Sequence, residues 1–345
     1  MSTETAKWLN RNVLVGYTDK RGKAWHYRKS EQGDEPNHYP GAIPLDDVIR
    51  RLFYWTANTS PVYMRIPASL AEADGVDDQG APYKTVEIKN KKAIYHSETL
   101  ECFNVFGKDY CSHQFAELTE IAANLIDDDI NIGSAGLLKK GAIGWVLIER
   151  PESIEVIEGF PVRSSILFTT SHNGAFATRI KPVNTFVVCD NTHAIALRET
   201  GAQFTARHSK NSNLRIQSIR DALGFIQRLD AEIEQEIKTL ADWKVTDGDF
   251  AKVLDFIVPT VTEGSKKVIA NVATKRQAIA NLYKEDPRVA PWSGTALGVL
   301  QAFNTYNHHN DANKAKQSER NMMNLLGGKT FRSDLEVLTV LRGVS

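Results

Sequence analysis

Residues 162–182 read VRSSILFTTSHNGAFATRIKP. Two β-prone runs flank His172-Asn173-Gly174 in this stretch. Asn and Gly both tolerate positive φ, so Asn-Gly between such runs is a strong hairpin signal. An antiparallel hairpin with strands at 162–171 and 175–182 is therefore expected. A second pair of runs, 132–138 and 142–149, flanks Lys139-Lys140-Gly141, which reads as another hairpin tip. Residues 185–189 (TFVVC) make a further strand, and Asp190 is placed to cap a short helix over 191–199.

Upstream, Phe115, Leu118, Ile121, Ala122 and Leu125 recur at helical spacing, which predicts a helix over 114–126 with Ser112 as its cap. Residues 86–88, 93–96 and 100–106 are short β-prone runs, and the acidic stretch 72–80 (EADGVDDQG) reads as an exposed loop. Residues 1–50 mix Gly, Pro, charges and aromatics without a period, so they read as an irregular arm or cap. Beyond 212 the pattern turns helical. Leu214, Ile216, Ile219, Leu223, Ile226, Leu229, Ile233, Ile237 and Leu240 mark one long helix. Further helices fit 248–257, 265–284, 294–307, 315–326 and 334–342, the last with Ser333-Asp334-Leu335-Glu336 as a capping box. The fold class is α+β. An antiparallel β-rich core with interspersed helices (51–212) is followed by a helical region (213–345) packed on it.

The chain has 345 residues, with 42 Lys+Arg against 42 Asp+Glu. Zero formal charge excludes a protein that holds polyanions by bulk charge alone. The first dozen residues lack the apolar centre of a secretion signal. The apolar run GAIGWVLI around Trp145 is far short of the roughly 20 residues that span a bilayer. Cys102, Cys111 and Cys189 form an odd set without a CxxC, as expected of reduced thiols in the cytoplasm. These features point away from a membrane.

Five groups of residues, in order, carry a family resemblance. They are Ser134-Ala135-Gly136-Leu137, Thr169-Thr170-Ser171-His172-Asn173-Gly174, Val188-Cys189-Asp190-Asn191-Thr192, Arg207-His208-Ser209, and Gly294-Thr295-Ala296 through Tyr306 to Ser318-Glu319-Arg320. From about residue 50 onward they resemble the phage/plasmid-like protein family, domain of unknown function 932. The chain departs from that pattern at Leu297, where an aromatic is usual, and at Asp190. The resemblance implies carriage on phages, prophages or plasmids and no defined activity. Genes of this kind serve DNA replication, recombination or host takeover. The β-rich core is also similar, at the level of fold, to phage single-strand annealing proteins.

Charge is strongly segregated. Arg207, Lys210, Arg215, Arg220 and Arg228 against Asp221 make 207–228 net +4, and 229–242 is net −4. Cations at a helix start oppose the helix dipole, and a phosphate there would relieve the conflict. A solvated face paired with acids elsewhere is the competing reading. Residues 265–332 are net +7, and Arg11–Lys29 interleaves cations with Tyr17, Trp25, His26 and Tyr27. The expected partner is nucleic acid, single strands above all, held non-enzymatically by Arg207, His208, Lys210, Arg215 and Arg220. Lys139, Lys140 and Arg179 are expected to line the same sheet surface. Homo-oligomers are a further expectation.

The alternative is an enzyme. Cys189 and His193 lie four apart and, with His172 and His208, could make a Cys/His site. A lone Cys ending an apolar strand is otherwise a small core residue. Asp127-Asp128-Asp129 is the densest carboxylate cluster and reads as a solvated turn or a divalent-ion site. No HxH, HExxH or phosphate-loop spacing occurs, and no motif calls for a cofactor or a metal. A third reading is a structural or host-interaction protein acting through its helical region.

Overall fold

A computed structural model describes residues 3–24, 27–126, 130–149, 154–158, 160–186, 191–193, 204–209, 234–307 and 329–344. The fold is α+β. An eight-stranded sheet is built from β1 (Val13–Val15), β6 (Asn131–Leu138), β7 (Ile143–Glu149), β9 (Phe160–Ser171), β10 (Thr178–Phe186) and β11 (Asn191–His193), in that spatial order. β8 (Ile154–Ile157) joins β9, and β12 (Phe204–Ala206) joins β10. Every pairing between these described strands is antiparallel.

Both expected hairpins form. β9 and β10 pair from Thr169–Arg179 to Val162–Phe186, with Gly174 at φ 76° in the connection. The β6–β7 tip takes φ 50°, 56° and 94° at Lys139, Lys140 and Gly141. β10 is one strand where two were expected, and it runs through Pro182. The proline is tolerated because the outer neighbour changes there: β12 pairs Thr178–Ile180 and β11 pairs Asn184–Phe186. Residues 191–193 are strand rather than the expected helix, with Thr192 opposite Thr185. Asp190 and 194–199 lie outside the described residues.

The described residues among the first fifty pack onto the core, where an irregular arm or cap was expected. α1 (Thr3–Asn12) leads into β1, which pairs with β6. The buried Asn37 amide donates to Leu9 O (3.2 Å) and Val13 O (2.6 Å) and ties the segment together. α2 (Thr18–Arg21) ends on Arg21, whose Nη1 lies 2.5 Å from Oε1 of the buried Glu149. α3 (Leu45–Leu52) buries Val48 and Leu52.

A second, smaller sheet rises from the core as an arm. It comprises β2 (Ala57–Pro67), β3 (Gly75–Val76), β4 (Pro82–His96) and β5 (Cys102–Gly107). Its base is buried at Ala57, Ile94 and His96, while the far half of β2 is exposed. β2 had no counterpart in the sequence reading, because Pro61 and Pro67 break its β-prone run.

α4 (Phe115–Ala123) covers one face of the large sheet, the front, where Val146, Ile148, Ile166 and Phe168 meet Phe115, Leu118 and Ile121. A Cβ at Gly144 would lie 2.6 Å from the Phe115 ring, so only glycine lets the helix sit this close. The N-cap is Gln114 rather than Ser112. Its backbone N donates to Glu117 Oε2 (3.0 Å), and its side-chain amide accepts from Ala57 N (2.9 Å) and donates to Ala57 O (3.1 Å). The back face carries Ile143, Trp145, Leu167 and Val183, partly roofed by Leu9 and Trp8 of α1.

The C-terminal half contains α5 (234–242), α6 (Asp247–Ile257), α7 (Lys266–Glu285), α8 (Ala296–Thr305) and α9 (Lys329–Val344). α8 is buried on all sides, the mark of a central helix. Val156 of β8 joins the same core as Leu297, Leu300, Leu338 and Leu341, so the helical half is rooted on the sheet. α9 begins at Lys329, so the expected capping box at Ser333 lies inside it. Asp334 instead accepts from the Asn304 amide at 3.0 Å within the core. The expected helix at 315–326 and the first part of the long helix lie outside the described residues.

Candidate functional site

β10 alternates Arg179, Ile180, Lys181. Ile180 packs toward the front core, so Arg179 and Lys181 point to the back face. Arg163 lies on β9 two residues from Ser165 and four from Leu167, a back-face core residue, which puts it on the same side. Lys181 and Arg163 are buried at 6 % and 8 % exposure. Arg332 of α9 is exposed and comes in from the helical half. Burial, then the charges of Arg179 and Arg332, pull the Lys181 ammonium down to about 8. Burial and Arg332 also lower Arg179, whose guanidinium sits 5.6 Å from the Phe176 ring centre. Thr205 of β12 is the partner of Arg179, and Arg207 stands two residues beyond it, exposed. Cations from β10, the end of β12 and α9 thus gather over one patch of the back face.

The front face carries a different cluster, buried and neutral. His172 is 1 % exposed, with its ring 4.2 Å from Phe115 and 5.6 Å from Trp55. Its Nδ1 is hydrogen-bonded to Ser112 Oγ at 2.6 Å. His113 Nδ1 is bonded to Thr178 Oγ1 at 2.6 Å. His208 Nε2 lies 3.1 Å from the hydroxyls of both Thr170 and Thr178, and its Nδ1 meets the Tyr110 hydroxyl. Desolvation by burial is the leading cause of every shift here. It lowers His172 to about 3 and His208 to about 4, lowers His113, and pushes the Tyr110 phenol up. Neighbouring histidines add to the effect on His172 and His208. Uncharged rings bonded to hydroxyls form a seam. It stitches residues 110–113 to the β9–β10 hairpin and to the chain leaving β12. Among the described residues no group of three or more His, Cys, Asp or Glu is arranged to hold a metal ion.

The residues singled out from sequence fall into separate places. Arg179 and Arg207 share the back-face patch. His208 is turned to the front, into the seam, and presents no nitrogen to a phosphate. Lys139 and Lys140 form the β6–β7 tip. Lys140 Nζ pairs with Glu101 (2.9 Å) beside the small sheet, on the front side, away from Arg179. Lys210, Arg215, Arg220 and Cys189 lie outside the described residues, as do Trp25, His26 and Asp127-Asp128-Asp129. Tyr17 of the aromatic N-terminal stretch is core, and Tyr27 packs on His38 with ring centres 4.6 Å apart.

His172 and His193 do not converge. His193 is the partner of Asn184, itself opposite Ser164, eight residues along β9 from His172. At the rise of a strand that separation is roughly 26 Å. The sequence reading missed Lys181 and Arg332 in the cationic patch, and His113 and Tyr110 in the seam. The alternation Arg179–Ile180–Lys181 was the available sign for Lys181. No local pattern joins residues 110, 113, 172 and 208.

The ordered motifs from the β6 strand onward match a family model described as Domain of unknown function (DUF932) over residues 102–326. The chain belongs to the DUF932 family. The match covers α4, the large sheet from β6 onward and most of the helical half. It leaves out the N-terminal segment and all of the arm except β5. No curated protein and no solved structure matches the chain. No described helix is long and apolar enough to cross a membrane.

Proposed function

We propose that this DUF932 protein binds nucleic acid without catalysis, with a preference for single strands, on the back face of its large sheet. The observation that carries the reading is the gathering of Arg179 and Arg332 around Lys181, with the exposed Arg207 two residues beyond the β12 partner of Arg179, in a chain with no net charge. Guanidiniums gathered this way suit bidentate contacts to phosphate oxygens. Lys181 beneath them adds charge without touching the ligand. Phe176 is buried in the core, so its ring backs the Arg179 guanidinium and does not itself stack bases; the preference for single strands follows the fold-level likeness to phage annealing proteins. The phage or plasmid setting implied by the family resemblance, within a host cytoplasm, fits DNA metabolism as the context.

The test is fluorescence anisotropy with labelled oligothymidine and a matched duplex, over a salt series. The single strand is expected to bind more tightly, with affinity falling steeply as salt rises. Replacing Arg179, Arg207 and Arg332 by Ala, one at a time, is expected to reduce the salt slope by about one each. Absence of binding at about 50 mM salt, where phosphate contacts are strong, overturns the proposal.

A further inference from the structure

The arm ends in an exposed turn that nothing among the described residues covers. Leu70 and Val76 are 81 % and 56 % exposed there. Residues 69–81 hold Glu72, Asp74, Asp77 and Asp78 and no Lys or Arg, so the tip is net −4. Two of these acids shape the tip. Asp77 accepts from Gln79 N and Ala81 N at 2.9 Å, and Asp74 accepts from Thr85 N at 2.6 Å. Glu72 and Asp78 face solvent.

A surface of opposite character lies in the helical half. The fully buried residues of α7 are Ile279, Leu282 and Tyr283, all near its C-terminal end, so the described residues cover its first three turns only in part, through Val272 on the core and Arg276 paired with Asp255. Between that segment and the end of α6 runs a groove of about 340 Å³ lined by Leu254, Val261, Ile269, Val272, Ala273 and Ala280. Val268 beside it is 49 % exposed. Residues 259–276 carry Lys266, Lys267, Lys275 and Arg276 against Glu263, net +3. The first turn of α7 has no acid to meet the helix dipole, so an incoming carboxylate is favoured there by the dipole as well as by Lys266 and Lys267.

We propose that the arm tip of one copy docks into the α6–α7 groove of a second copy of this chain. Leu70 enters the groove, and Glu72 and Asp78 lie over Lys266 and Lys267. Both the apolar and the charged complement are present on one chain, which is why a second copy is the occupant. Tip and groove are different surfaces, so the contact is head-to-tail and builds a ring or a filament rather than a closed two-fold dimer. One tip covers little area, so assembly is concentration-dependent.

The experiment is sedimentation velocity on the full chain, without nucleic acid, over a range of protein and salt concentrations. Wild type is expected to grow in mass with concentration and to return to monomer in high salt. Leu70→Asp is expected to weaken assembly at least about tenfold, as for loss of a buried anchor. Glu72→Lys with Asp78→Lys, and separately Lys266→Glu with Lys267→Glu, are expected to be monomeric alone and to assemble when mixed. All five positions are exposed, so each variant retains its fold, which circular dichroism checks. A wild type that stays monomeric at every concentration overturns the proposal. So does an assembly that ignores the tip and helix variants, or charge-swapped proteins that fail to associate on mixing. The readout is mass, so its failure leaves the oligonucleotide test standing, and the reverse holds too.

Discussion

The two faces of the large sheet handle polar side chains in opposite ways. On the front, three histidines are stripped of water, held neutral and satisfied by hydroxyls of Ser112, Thr170 and Thr178. On the back, Arg179 and Lys181 are brought together with Arg332 although their charges oppose one another. A buried neutral imidazole bonded to a hydroxyl gives cohesion and leaves no charge for chemistry at neutral pH. Like charges packed side by side repel one another. The contrast separates two kinds of polar cluster more reliably than residue type, because histidine is the residue most often taken for a catalyst.

The largest expected effect tests the cohesive role of the front. His172→Ala removes the bond to Ser112 and opens a cavity beside Phe115, Trp55 and Phe103. A loss of about 3 kcal/mol is expected in urea unfolding. Arg207→Ala, at an exposed site, should stay within about 0.5 kcal/mol. Equal losses at both positions would erase the distinction.

Acid gives the next largest effect. A histidine whose folded pKa lies below its unfolded value of 6.5 stabilises the protein fully above that value. Its contribution fades as pH falls toward the folded pKa. For His172, at about 3 when folded, roughly 2 kcal/mol is lost between pH 7 and pH 5, with His208 and His113 adding to it. Urea midpoints measured at pH 7 and pH 5 check this, and His172→Gln should flatten the difference.

Binding separates the faces from the other direction. Arg179→Ala with Arg332→Ala should cut oligothymidine affinity and lower the salt slope by about two. His208→Gln should alter stability and leave the slope unchanged. A slope reduced by the histidine variant and untouched by the arginine pair would move the interface to the front. The smallest effect is expected at the hairpin tip. The Lys140–Glu101 pair is solvent-exposed, so Lys140→Ala should cost under about 1 kcal/mol and spare the salt slope, as read from urea and anisotropy titrations.

Legibility followed the range of the interactions. The Asn173-Gly174 and Lys139-Lys140-Gly141 turns, α4 and the described helices after 247 were readable, because a turn's backbone geometry or a helix's apolar period is written in neighbouring residues. β1 was not, since three residues carry no period and the strand exists only because β6 offers an edge. The helix expected over 191–199 rested on Asp190 as a cap. At 191–193 pairing with β10 prevails over local preference. Arg179 and Arg207 were found, yet the company they keep was not, because Arg332 reaches them through the packing of the helical half. The histidine seam joins positions up to 98 residues apart and has no local signature.

One feature of the arm limits how it can be used. Among the described residues β2 is an edge strand, and Pro61 and Pro67 remove N–H groups from it. Such an edge is a poor template for a further strand, so a long exposed ribbon can persist without seeding aggregation. Whatever meets the arm along β2 must therefore read its side chains and not its backbone. Partners chosen that way change with single substitutions, which leaves the arm free to diverge while the sheet it springs from stays the same.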